Sequence, residues 1–104
     1  KPKDVTEALS LMQTEVKIRR DAQTLDTLAW ALLRNRKNKE AQKTIQEALQ
    51  LGTRDAEILY RAATIEKALL NNAQAMEYEQ QIKAIDPSFD TQAKRISGID
   101  YLGF

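Results

Sequence analysis

The sequence predicts an all-α fold made of helix-turn-helix units that repeat and stack into a solenoid. The tripeptide Arg-Asp-Ala occupies positions 20–22 and recurs at positions 54–56, 34 residues later. The apolar rhythm after the two copies is the same, so that Leu25 is matched by Leu59. Three Gly and two Pro leave few helix breakers in 104 residues, and charged residues make up 30% of the chain. A fixed period of this length is typical of stacked helical repeats that bury their apolar faces against each other.

The first two helices are predicted from apolar residues at helical spacing. One runs from Asp4 to about Arg19, and Glu7, three residues after Asp4, completes the pattern of a capping box. The next runs from about Ala22 to Arg36 with one apolar stripe. The basic run at positions 34–37 suits the negative end of that helix dipole, and contact with phosphate or an acidic partner is the alternative.

Three further helices and a cap are expected. Asn38 is the predicted N-cap of the third helix, which ends at Gly52, and Asp55 is the predicted N-cap of the fourth, which reaches positions 71–72. The fifth ends before Pro87, because proline cannot continue a helix. A short helix over residues 88–97 is expected to cap the stack. The apolar tail at 99–104 packs on that cap, contacts a partner or continues into a longer chain.

Composition argues against several classes of function. A net charge of +1 gives no concentrated basic field, so no nucleic-acid partner is expected. The chain has no His and no Cys, which removes the commonest general base and the usual zinc ligands. Carboxylates such as Glu66 and Glu79 are expected on solvated helix faces. We therefore predict no enzyme activity, no catalytic residue, no metal site and no cofactor.

The sequence says less about the cellular compartment of the protein and about the chain from which it comes. No apolar run is long enough to span a bilayer, so membrane insertion is not expected. The absence of Cys fits a reducing or an oxidising compartment, and localisation stays open. The chain starts at Lys1 without Met, so we expect it to be part of something longer.

Each 34-residue unit has a helix with a long apolar stripe, a turn, a helix whose apolar stripe is centred on Ala, and a second turn. In this order the chain resembles the tetratricopeptide repeat over roughly residues 4 to 90. The repeat's small eighth position falls on Ala29 and Ala63, and its small twentieth position on Ala41 and Ala75. The closing Pro of the motif is Pro87 in the second repeat. The sequence departs from the family pattern at four positions. Thr53 stands where the first repeat would have its closing Pro, Glu66 and Glu79 stand where the family favours large apolar or aromatic residues, and Trp30 lies outside the usual Trp position.

The resemblance implies a right-handed superhelix of about two and a half repeats with a C-terminal capping helix. The single domain then divides into a half repeat at 4–20, a first repeat at 22–55, a second repeat at 56–87, and a capping helix and tail at 88–104. Small residues at the four Ala positions make physical sense, because paired helices approach closely where they cross.

In this family the first helix of each repeat lines the concave groove. The predicted groove residues are Gln23, Asp26, Thr27, Trp30 and Arg34 in the first repeat, and Glu57, Tyr60, Arg61 and Thr64 in the second. They share faces opposite the core stripes, and Trp, Tyr and Arg are enriched at interface hot spots. The alternative for Trp30 is packing against the neighbouring helix, with Tyr60 only covering it.

The expected function is therefore a non-catalytic protein-protein interaction module that binds an extended or helical peptide in the groove. Some members of the family hold a terminal carboxylate with Lys and Asn at groove positions five, six and nine, but here only Arg61 among those positions suits an anion. That ligand class is disfavoured. The alternative function is structural, in which the terminal helices join further repeats or a second copy in a homo-oligomer.

Overall fold

A computed structural model describes residues 4–51 and 55–89 of the chain and contains helices joined by turns. No strand occurs within these ranges, so the prediction of an all-α fold is confirmed. The described helices are α1 at Val5–Ile18, α2 at Ala22–Arg34, α3 at Asn38–Gln50, α4 at Ala56–Ala68 and α5 at Asn72–Ile85.

Aspartate side chains begin three of these helices. Asp4 Oδ1 accepts a hydrogen bond from the Glu7 amide at 2.8 Å, Asp21 caps α2 in the same way, and Asp55 Oδ1 accepts from the Glu57 amide at 2.7 Å. The predicted caps at Asp4 and Asp55 are confirmed. The prediction for α3 is wrong: Asn38 is its first helical residue, and Lys37 holds the cap position without a side-chain bond.

The 34-residue period of the sequence is also a period of the backbone. Helices α2 and α4 begin 34 residues apart, as do α3 and α5. The turn inside each pair repeats as well, since Arg36 and Leu70 both have positive φ, of 62° and 63°. In each turn the next amide reaches back five residues, from Lys37 to the Leu32 carbonyl and from Asn71 to the Glu66 carbonyl, at 2.9 and 2.8 Å. This is the Schellman arrangement that closes a helix C-terminus.

Packing follows the order of the chain. The closest pairs are α2 with α3 and α4 with α5, which form two helical hairpins; α1 packs on α2, α3 packs on α4, and α2 touches α4 over a smaller area. The four predicted small positions, Ala29, Ala41, Ala63 and Ala75, are all fully buried. That confirms the prediction that these positions are buried, and close packing there leads us to expect that larger side chains do not fit.

The chain beyond α5 is described only as far as Phe89. Helix α5 ends at Ile85, two residues before Pro87, as predicted. Ser88 lies in a turn in which its amide and hydroxyl donate to Asp86 Oδ1 at 3.1 and 2.7 Å. The predicted capping helix and the tail at 99–104 otherwise lie outside the described residues, as does Gly52.

Among the described helices, none has the length and apolar character needed to cross a membrane.

Candidate partner-binding surface

The nine predicted groove residues lie on α2 and α4, and they differ in how far they reach solvent. Gln23 is exposed, and Thr27, Arg34, Glu57, Tyr60 and Thr64 are half-buried. Asp26, Trp30 and Arg61 are buried, with 1%, 6% and 5% of their surfaces exposed. The expectation that these three face away from the packed side of their helices is wrong.

The physical reason is the contact between α2 and α4. Arg61 Nη1 of α4 donates to Asp26 Oδ2 of α2, and both side chains are almost fully enclosed. The Arg61 guanidinium also lies 5.8 Å from the centroid of the Trp30 ring, in a cation–π arrangement. Trp30 therefore packs against the neighbouring helix, which is the alternative that the sequence left open. These three residues, the Asp26–Arg61–Trp30 cluster, join the first helices of the two hairpins.

The cluster is not fully satisfied. Asp26 Oδ1 and Trp30 Nε1 are buried without a hydrogen-bond partner among the described residues. Burial raises the pKa of Asp26 to about 6, because desolvation outweighs the attraction of Arg61, and the charges of Asp55 and Glu57 raise it further. With a pKa of about 6, the Asp26 carboxyl begins to take up a proton as the pH falls below 7.

Tyr60 packs against an aromatic ring that follows α5. Its ring stands 6.1 Å from that of Phe89, centroid to centroid, with the planes tilted by 48°. The hydroxyls of Thr27 and Thr64 donate to the carbonyls of Gln23 and Tyr60, each four residues earlier in its own helix, at 3.1 and 3.0 Å. Tyr60 is thus half-buried against Phe89, and the threonine hydroxyl protons are used within their own helices.

We call the predicted groove residues that keep solvent access the α2–α4 surface: Gln23, Thr27, Arg34, Glu57, Tyr60 and Thr64. Gln23 and Thr27 also line an open depression of about 460 Å³ between α1 and α2, whose other wall includes Leu11 and Met12. The partner-binding role of these residues stays a prediction.

Sequence reasoning missed Glu66. It was expected on a solvated face, and that is wrong, because only 1% of its surface is exposed. Its carboxylate accepts from Gln42 Nε2 on α3 and from Asn71 Nδ2 after α4. A signal was present: Glu66 follows Leu59 by seven residues and Ala63 by three, so it lies on the core stripe of its helix.

Residues 4–51 and 55–89 contain no group of three or more acidic side chains close enough to hold a metal ion.

Comparison with protein-family models, curated proteins and solved structures finds no match to this chain. The tetratricopeptide resemblance therefore rests on the residues and the repeat described above.

Proposed function

We propose that this chain is a tetratricopeptide-type interaction module that binds a peptide or partner protein through the α2–α4 surface, without catalysis. The observation that carries the proposal is the 34-residue period, which the backbone follows in its helix starts and in both positive-φ turns. Repeats of this kind stack into right-handed superhelices, and their extended concave surfaces are used for recognition.

Under this proposal the buried and the accessible groove residues have different tasks. The Asp26–Arg61–Trp30 cluster holds α2 against α4 and so shapes the floor of the surface. Recognition falls to side chains that reach solvent, above all Tyr60 and Arg34. An aromatic ring contributes large contact area at a small loss of side-chain freedom, and a guanidinium pairs well with a carboxylate of the partner.

The test is a selection of peptides on the wild-type protein from a displayed random library, followed by affinity measurement on variants. Tyr60→Ala is expected to weaken the selected peptides by about 1–3 kcal/mol, as for a central interface residue. Met76→Ala is the matched control, because Met76 is an exposed apolar residue on α5 and is not part of this surface. Peptides that bind both variants as well as wild type would move the site to another face.

The assembly function is the second candidate, and α1 carries the observation in its favour. Leu11 and Ile18, seven residues apart on one side of α1, are 52% and 77% exposed. Exposed apolar residues one above the other suit contact with another helix, either of a further repeat or of a second copy. Light scattering over a range of concentrations tests self-association. A dimer that Ile18→Glu abolishes would favour assembly, and a monomer at all concentrations would count against the second-copy form.

A further inference from the structure

Glu66 is a buried acid that plays no part in the α2–α4 surface. Gln42 Nε2 donates to its two carboxylate oxygens at 3.0 and 3.2 Å, and Asn71 Nδ2 donates to Oε1 at 2.9 Å. None of the ion pairs within the described residues involves Glu66. A carboxylate with 1% exposure is thus held by amide groups alone. Buried charges are ordinarily paired, since burial without a counter-charge is unfavourable.

Glu66 is one of the residues that line an open cleft of about 700 Å³. It is bounded by α3, by the turn between α4 and α5, and by the first turns of α5. Besides Glu66, its walls include the side chains of Gln46, Gln74 and Glu77. No Lys or Arg is found among the described residues that line it. The cleft therefore combines two acidic side chains with several carboxamides and contains no positive charge.

The hydrogen bonding gives the cleft a preference for donors. Gln42 and Asn71 each direct a side-chain nitrogen to Glu66, so the carboxamide oxygen of each is the group that remains to accept. Gln42, which covers both Glu66 oxygens, is only half-buried, and its side chain would have to turn aside for a ligand in the cleft to reach them. A ligand with a positive charge and several N–H groups matches these acceptors, and an arginine guanidinium has five such donors in a planar fork.

We propose that this cleft, the Glu66 cleft, binds an arginine side chain of a protein partner, with Glu66 as the counter-ion and the neighbouring carboxamide oxygens as further acceptors. The described residues that line this cleft include none from the α2–α4 surface, so the site does not depend on that surface. A purely structural role, in which Glu66 only ties α3 to α4, is the outcome that would replace it.

The experiment titrates the ¹⁵N-labelled full chain with N-acetyl-arginine methylamide and follows the side-chain amide signals of Gln42 and Asn71 by NMR. We expect saturable shifts with a dissociation constant on the order of 10 mM, the range for a single side chain. The citrulline analogue has the same shape without the charge, and we expect it to bind at least about tenfold more weakly. Glu66→Gln should abolish the difference between the two probes. Glu79→Gln, which removes a carboxylate paired with Lys67 elsewhere, should preserve it.

Three results would overturn the proposal: no saturable shift at these amides, equal affinity for arginine and citrulline probes, or unchanged binding by a folded Glu66→Gln variant. Should that variant fail to fold, the comparison of the two probes on the wild-type protein still decides, together with Glu77→Gln at the exposed rim. The Tyr60→Ala variant separates this site from the proposed function, because arginine binding in the Glu66 cleft should survive that substitution.

Discussion

Breaking the Asp26–Arg61 pair should destabilise the fold strongly, whereas replacing both partners should not. The perturbation is a double-mutant cycle of Arg61→Met, Asp26→Leu and the two together. Arg61→Met leaves the Asp26 carboxylate, with 1% exposure, without its cation. Asp26→Leu removes the acid that the buried guanidinium contacts.

The structure determines the expected size. Removing one partner of an ion pair this deeply buried costs about 3–5 kcal/mol, because the remaining charge is uncompensated. That is a large share of the roughly 5–15 kcal/mol that stabilises a typical domain. Apolar replacement of both partners avoids the desolvation of two charges, and replacements of this kind are often neutral or stabilising by about 1–4 kcal/mol. The interaction energy of the cycle should therefore reach several kcal/mol, roughly the sum of the two single-variant losses.

Urea unfolding at pH 7 measures these free energies, followed both by circular dichroism and by the fluorescence of Trp30, the only Trp in the chain. Trp30 lies beside the substituted pair and reports local unfolding, whereas circular dichroism reports the loss of all helices. If the two signals change together, unfolding is two-state. The matched control is the pair formed by Arg20 and Glu47, which is doubly hydrogen-bonded at 2.6 and 2.7 Å but exposed. Solvent screens that pair, so its cycle should give a far smaller interaction energy.

Two outcomes would refute the reasoning. One is a loss of less than about 1 kcal/mol for Arg61→Met, which would mean that solvent reaches the pair in solution. The other is a double variant as unstable as the worse single one, which would assign the effect to packing around Trp30. The pH dependence is a further check. The stability that Arg61→Met loses relative to wild type should be smaller at pH 5 than at pH 7, because Asp26 without its cation can take up a proton at pH 5.

The remaining predictions concern titration, packing and the turns. The pKa of Asp26 is raised from 3.8 to about 6 in the folded state, so its contribution to stability grows as pH falls from 7 towards 4, by roughly 3 kcal/mol in total. The unfolding free energy of wild type minus that of Asp26→Asn should rise over this range, and a flat or falling difference would contradict the shift. Ala75→Leu should cost roughly 1–3 kcal/mol by overpacking a fully buried site, with exposed Ala73→Leu as the nearly neutral control in thermal melts. Leu70→Gly should stabilise the fold by up to about 1 kcal/mol in urea unfolding, because Leu70 has a φ of 63° and is 82% exposed. The control Gln80→Gly, in the middle of α5, should destabilise the fold. Equal losses of stability in the two variants would mean that the turn at Leu70 is not strained.

The helix starts and the small buried positions could be predicted because their causes are local or periodic. An aspartate two or three residues before an uncapped amide forms its hydrogen bond whatever the rest of the chain does, as Asp4 and Asp55 show. Ala41 and Ala75 lie 34 residues apart and are both buried, because helices that approach closely admit only small residues where they cross. The wrong N-cap at Asn38 arose from the turn before it: Arg36 takes positive φ, and the chain then enters α3 at Lys37.

The burial of Asp26 and Arg61 could not be predicted from either helix alone. Each side chain is charged and lies off the main apolar stripe, so each by itself indicates a surface position. Their partnership joins residues 35 positions apart and depends on how closely α2 and α4 approach, which no periodicity within one helix specifies. Glu66 differs, since its place on the core stripe conflicted with its charge, and such a conflict between pattern and residue type is itself a sign of a buried polar network.

Helix α4 makes two buried polar contacts with the first hairpin, and these contacts limit how the second hairpin can sit on the first. Arg61 reaches Asp26 on α2, and Glu66, five residues later, accepts from Gln42 on α3. Apolar contacts are non-directional, so covering the apolar stripe does not by itself specify one rotation or shift of α4. A rotation or shift that kept the apolar stripe covered would still separate Arg61 from Asp26 and Glu66 from Gln42, and each buried charge would lose a polar partner. The two polar contacts therefore select one arrangement of the hairpins, and with it the relative placement of the side chains on the α2–α4 surface.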